Sequence, residues 1–257
     1  MSKKRTTPPL AIKKPLLFLL GVVLFFVIAL PFERAADFAR HSRAAAGALF
    51  LDEKDSRRFI CSGTVIGHTS DGTAEFLTAR HCVWQDASNG DMFNPPNDAG
   101  LLGKQEVSFA DNEGGPFYQA TPWKISTTDD LAILLLTNGG NLPAVRLGTE
   151  QVVGVGAALT NYSFAMSMGK LDIAIRSVAP VFAHGADSFA PEYRWDYSMP
   201  VDGTIAPGSS GSGLFDPRQQ ALIGVVVGAS GHGGLCVAEP VSRVWNLLAD
   251  TKSEPIK

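Results

Sequence analysis

Cysteine is scarce: the 257 residues hold 3, and neither Cys-x-x-Cys nor His-x-x-x-His spacing occurs. Metal centres draw on such closely spaced ligands, so no metal site is expected. Basic clusters are missing outside the first residues, and the formal net charge is −3. Nucleic acid, which needs a stripe of Lys and Arg, is therefore not an expected partner. Charged residues make up only 18% against 45% hydrophobic, which excludes a disordered chain. There is no tandem repeat, and Gly154-Val155-Gly156 within Val152–Leu159 reads as strand rather than as a dinucleotide-binding turn.

One uncharged apolar run stands out, Pro15–Phe32, preceded by Lys3-Lys4-Arg5 and Lys13-Lys14. As a helix it would extend about 27 Å, just short of a hydrocarbon core of about 30 Å. That length suits either a signal anchor or a cleaved signal peptide. Val27-Ile28-Ala29 offers a cleavage site, although Pro31 makes it a poor one. Lysines before the span keep the N-terminus inside and send the rest of the chain across the membrane. The expected organisation is a basic segment over 1–14, the export segment over 15–32, a linker over 33–44 and a domain over 45–257. About 210 residues suffice for one well-buried core or two small packed barrels.

Beyond residue 45 the chain reads as short strands cut by Gly, Pro, Asn and Asp: Phe59–Ile66, Ala74–Thr78, Glu106–Ala110, Leu131–Thr137, Gln151–Thr160, Leu171–Val178, Gly213–Phe215 and Ala221–Val227. Regularly spaced short strands point to a sandwich or barrel. Glu239–Ala249, with Val241, Val244, Trp245, Leu247 and Leu248 on a helical period, reads as a C-terminal helix. Gly139-Gly140-Asn141 interrupts the pattern and sets a boundary near Asn138–Arg146.

The chemistry is concentrated in Gly208-Ser209-Ser210-Gly211-Ser212-Gly213, reached through Ala206-Pro207. Glycines flanking Ser210 allow a tight turn, with two amides aimed at an oxygen beside the hydroxyl. A serine becomes nucleophilic only when an imidazole takes its proton, and that imidazole must itself be oriented by a carboxylate. His81 ends the apolar run Phe76-Leu77-Thr78-Ala79-Arg80-His81-Cys82, and Asp130 heads Leu131-Ala132-Ile133-Leu134-Leu135-Leu136. Asp129 is the competing carboxylate, but Asp130 is in register with the apolar run. The chain order is His, Asp, Ser, whereas subtilisins and α/β-hydrolases run otherwise.

That order and four local patterns resemble the chymotrypsin-like (trypsin-fold) serine peptidases. Thr78-Ala79-Arg80-His81-Cys82 looks like their Thr-Ala-Ala-His-Cys, and Asp130-Leu131-Ala132-Ile133-Leu134 like Asp-Ile-Ala-Leu-Leu. Gly208-Ser209-Ser210-Gly211-Ser212 looks like Gly-Asp-Ser-Gly-Gly, and Cys61-Ser62-Gly63-Thr64-Val65-Ile66 like Cys-Gly-Gly-Ser-Leu-Ile. The resemblance implies an all-β fold of two packed six-stranded antiparallel β-barrels, about 45–142 and 143–238, with a C-terminal helix over 239–250. It implies a serine endopeptidase with His81, Asp130 and Ser210 as triad and the amides of Gly208 and Ser210 as oxyanion hole. A Cys61–Cys82 disulfide is implied too, worth roughly 3 kcal/mol for a loop of about twenty residues, with Cys236 left over. No cofactor is needed, and the partner is a protein or peptide substrate.

Thr204, where relatives place the base of the primary specificity pocket, Val227 on an apolar wall and His232 are the candidate substrate contacts. His232 reads more readily as a solvated loop residue than as a substrate contact, and His41, His68 and His184 carry no motif. Ser209 stands where trypsins have aspartate, so the ion pair to a freshly cut N-terminus cannot form. Thr204–Ser212 looks most like bacterial members, the glutamyl and lysyl endopeptidases in particular. The competing readings are a catalytically silent trypsin-fold binding protein, an esterase using the same triad, and an HtrA-type protease. The last would carry a peptide-binding domain after the helix, and the sequence ends at Lys257.

Overall fold

The computed structural model describes residues 33–53, 56–85, 100–109, 116–150, 153, 157–167, 170–181, 195–198, 208–229 and 235–250. The chain divides into two units, Met1–Phe38 and Ala39–Lys257. In the first, residues 33–38 are helical; the export segment over 15–32 lies outside the described residues. No helix among the described residues is long and apolar enough to cross a membrane.

The second unit opens with helical residues 39–45, of which the sequence offered 39–44 only as linker, and continues without a break into the first strand. Strands β1 (Ala46–Glu53), β2 (Ser56–His68), β3 (Ala74–Thr78), β6 (Lys104–Ser108), β7 (Phe117–Ile125) and β8 (Ala132–Leu136) close into a barrel in the order β1-β2-β3-β8-β7-β6. Between β3 and β6, β4 (Trp84–Gln85) and β5 (Gly100–Leu101) make a two-stranded ribbon. The second barrel contains β9 (Leu159–Ser167), β10 (Lys170–Val181), β11 (Trp195–Ser198), β12 (Gly213–Asp216), β13 (Ala221–Ala229) and β14 (Leu235–Pro240), ordered β10-β11-β14-β13-β12-β9. Among the described residues the strands of both barrels pair antiparallel throughout, and one isolated parallel bridge joins Leu147 to Leu222. Closure removes the free edges on which small sheets aggregate. This is the two-barrel, all-β architecture with a C-terminal helix that the sequence implied.

Leu49, Phe76, Leu77, Ile133, Leu134 and Leu136 are fully buried in the first barrel, and Leu214, Phe215, Leu222, Ile223 and Val225 in the second. Each such side chain stabilises the fold by roughly 1.5–3 kcal/mol, so the barrels are rigid supports for the loops on their rims. The segment joining them is bonded to both. Val145 donates to the Val65 carbonyl at 3.0 Å, and Gly148 to that of Leu222 at 2.8 Å.

Most strands shift by one to three residues at their ends, as β6 at Lys104–Ser108 does against Glu106–Ala110, and two further elements differ in kind. Over Gln151–Thr160 the pattern suggests a strand; residues 151–152 and 154–156 lie outside the described residues, Val153 donates its N–H to the Glu150 carbonyl at 2.9 Å, and β9 begins at Leu159. Asn161, Tyr162, Ser163 and Phe164 are all buried. Both faces of the strand are therefore covered over these four residues. Glu239, expected to open the helix, instead lies in β14, and the C-terminal helix spans Val241–Ala249 after Pro240. On that helix Val241, Val244 and Leu247 are buried, while Trp245 is 50% exposed and donates Nε1–H to the Gly148 carbonyl at 3.4 Å. Lys124 of β7 reaches the end of the helix and donates from Nζ to the carbonyls of Leu247 (3.2 Å), Leu248 (2.6 Å) and Asp250 (2.9 Å).

Candidate active site

Strand pairing brings the first two expected residues together. β3 pairs with β8 with Thr78 opposite Ala132, so the residues just past Thr78 and just before Ala132 emerge at the same rim. His81 stands there in the 3-10 turn Arg80–Cys82, and Asp130 in the loop entering β8. His81 Nδ1 donates to Asp130 Oδ2 at 2.7 Å, and the His81 backbone N–H donates to Oδ1 at 2.9 Å. The carboxylate is 1% exposed and the imidazole 23%, so the acid is shielded while the ring still opens to a cleft. The Asp130 backbone N–H points to Glu239 Oε1 at 3.5 Å. Asp129 faces the other way. It accepts from Thr128 Oγ1 at 2.9 Å and Ser126 Oγ at 3.2 Å, and pairs with Arg243 at 3.5 Å.

Arg80 takes the place of a small residue in the family-like pattern and is itself buried. Its Nη1 donates to the Ser126 carbonyl at 3.2 Å, tying the histidine turn to the loop that carries Asp130. The Cys61–Cys82 disulfide, with Cα atoms 6.0 Å apart, fastens the same turn to β2. Cys61, His81 and Cys82 bring potential metal ligands within 4.8 Å of one another. Both sulfurs are bonded to each other, however, and Nδ1 is engaged by Asp130, so that group offers no free ligand set.

The nucleophile turn enters β12 of the second barrel. Gly208 and Gly211 have φ of 98° and 86°, values L side chains avoid. A Cβ on Gly208 would meet the Phe59 ring, and one on Gly211 would meet the Ser62 carbonyl and Thr78 Oγ1. Ser212 N–H donates to the Ser209 carbonyl at 3.1 Å and Gly211 N–H to that of Val226 at 2.7 Å. Ser62 N–H donates to the Ser210 carbonyl at 2.8 Å. Ser62 Oγ accepts from Phe164 N–H at 2.8 Å and bonds the Gly208 carbonyl at 2.8 Å. Buried Ser209 reaches Ser163 Oγ at 3.4 Å. His81, Gly208, Ser210 and the disulfide line one cleft of about 430 Å³, together with Arg58 and Leu102.

The trypsin-like peptidase domain family matches residues 61–225, which include His81, Asp130 and Ser210. The chain belongs to that family. No curated protein matches the sequence significantly. Among solved structures, the serine endoprotease from Yersinia pestis is 16% identical with a TM-score of 0.56, over 83% of this chain and 65% of its own. The HtrA-type protease AlgW with a tripeptide is 20% identical with a TM-score of 0.57, over 83% and 62%. A protease from M. tuberculosis in its active form is 17% identical with a TM-score of 0.56, over 86% of each chain. This chain thus spans under two thirds of the first two proteins' length, and at these identities the likeness is one of fold.

Of the trypsin-like domain's expected substrate contacts, Val227 is on β13 and 4% exposed, directly after the carbonyl that accepts Gly211 N–H. Thr204 and His232 lie outside the described residues. Ser62, Arg80 and Glu239 were not legible as site residues. The one available signal was that Ser62 and Arg80 stand where the family-like motifs have small residues.

Proposed function

We propose that this trypsin-like domain is a serine endopeptidase acting through a His81–Asp130–Ser210 triad. The carrying observation is the 2.7 Å bond from His81 Nδ1 to buried Asp130, with His81 and Ser210 lining the same cleft. Ser210 Oγ attacks the scissile carbonyl while Nε2 of His81 takes its proton. Asp130 fixes the tautomer that leaves Nε2 free to accept, and offsets the charge of the imidazolium. Negative charge on the substrate oxygen is met by the amides of Gly208 and Ser210, each donor being worth about 3 kcal/mol in the transition state. Imidazolium then protonates the leaving amine, the acyl group stays on Ser210, and water releases it. No cofactor enters any step.

Peptide as the substrate class is supported by the family and by the solved AlgW complexes with a tripeptide and a decapeptide. The finer placement near the glutamyl and lysyl endopeptidases rests on Thr204–Ser212 alone. Export belongs to the same reading, with residues 15–32 as membrane anchor or cleaved signal. Its supports are Lys13-Lys14 before the run and a disulfide of the kind that persists in oxidising compartments. N-terminal sequencing of the mature protein separates anchor from cleaved signal, and recovery in the cytoplasm with reduced thiols removes both.

A fluorophosphonate probe and a peptide library test the chemistry. Labelling at Ser210, cleavage of internal peptide bonds and loss of both in Ser210→Ala are expected. The loss in turnover is on the order of 10⁵-fold or more. Turnover of esters without peptides makes the protein an esterase, and absence of both makes it a binding protein.

A further inference from the structure

We propose that Ser62 is a positioning residue for the oxyanion hole, holding the nucleophile turn in its active shape without an N-terminal ion pair. The inference rests on the peptidase reading above and adds how that site is kept competent. The joint of the turn that aims the first oxyanion amide is Gly208. It has no Cβ and stands at φ 98°, and rotation there swings its amide away from the substrate oxygen. Trypsins secure this joint through the aspartate before the nucleophile, paired with a freed N-terminus. Here that position is Ser209, which has no charge, and β1 follows directly on helical residues 39–45.

Ser62 occupies the gap from the opposite barrel. It is fully buried on β2. A hydroxyl has one proton to give. With Phe164 N–H donating to Oγ at 2.8 Å, that proton goes to the Gly208 carbonyl at 2.8 Å rather than to the Phe164 carbonyl at 3.4 Å. The backbone N–H of the same residue holds the Ser210 carbonyl at 2.8 Å. One residue thus fixes both residues that supply the oxyanion amides. Thr78 Oγ1 donates to the Ser62 carbonyl at 2.8 Å, which links this anchor to the strand leading to His81. Glycine at this position in the Cys-Gly-Gly-Ser-Leu-Ile pattern means that the fold alone does not require the hydroxyl.

The test is steady-state kinetics of the full-length chain and its Ser62→Ala variant on one peptide, with a peptide aldehyde as probe of the oxyanion hole. An anchor that acts on transition-state stabilisation lowers kcat about tenfold and weakens aldehyde binding by a similar factor, while KM stays within about twofold. Fluorophosphonate still labels Ser210, because the triad is intact. If Ser62→Ala does not fold, Ser62→Gly, the residue of the family-like pattern, gives the same split. A folded variant with wild-type kcat and wild-type aldehyde affinity overturns the proposal, as does failure of both variants to fold, which makes the hydroxyl structural. A wild-type chain that neither cleaves peptide nor labels overturns the peptidase reading and this inference with it.

Discussion

His81 meets Asp130 twice, through its ring Nδ1 at 2.7 Å and through its own backbone N–H at 2.9 Å, one bond to each carboxylate oxygen. The backbone bond fixes where the carboxylate sits. The ring bond then fixes how the imidazole turns. Because a carboxylate only accepts, Nδ1 carries the proton and Nε2 is left with a lone pair.

Asp130→Asn places an amide opposite Nδ1 and favours the wrong tautomer. Peptide hydrolysis should fall about 10⁴-fold, as in other triads, whereas Asp129→Asn, whose partners are Ser126, Thr128 and Arg243, should be mild. Exchange of those two results in a kcat assay makes Asp129 the orienting acid.

Gly211→Ala should be severe. The residue combines φ 86° with a Cβ site occupied by the backbone oxygen of Ser62. Strain of this type costs about 1–3 kcal/mol even before the collision. Urea unfolding should show a loss of at least about 2 kcal/mol, and stability equal to wild type refutes the turn geometry.

Lys124→Met removes the cation that bonds three carbonyls at the end of the C-terminal helix. Those carbonyls have lost their helical partners and carry the negative end of the helix dipole. Stability should fall by about 1–3 kcal/mol with kcat unchanged, read by thermal unfolding alongside an assay below Tm. A variant as stable as wild type removes the cap.

Two carboxylates should act oppositely on stability against pH. Burial raises the Glu75 carboxyl, with His68 and Lys124 offsetting part of the effect. The folded state therefore favours the neutral acid and loses stability as pH rises from the unfolded value through the folded one. Glu75→Gln should be more stable than wild type at pH 7 and equal to it in acid. Burial also raises the Asp216 carboxyl, but bonds from Arg218 and Gln219 outweigh it and the net shift is downward. Its contribution is present above the unfolded value and is lost as pH falls through the folded one, so Asp216→Asn should destabilise at pH 7 and not in acid. Denaturation curves at several pH values check both signs.

The sequence alone determined what depends on local pattern. His81, Asp130 and Ser210 sit in short motifs whose order along the chain is specific, and strands such as Ala74–Thr78 announce themselves by apolar composition between turn residues. The C-terminal helix was legible from its period, and Cys61 and Cys82 from their place in two of those motifs. Tertiary structure decided the rest, because it depends on contacts between distant segments. The β3–β8 register brought Asp130, already singled out by its motif, within 2.7 Å of the imidazole. Ser62, over a hundred residues from Gly208 in sequence, became an anchor of the nucleophile turn only because two barrels close against each other. A hydroxyl's hydrogen-bond partners are set by packing across that contact, and no local pattern encodes them.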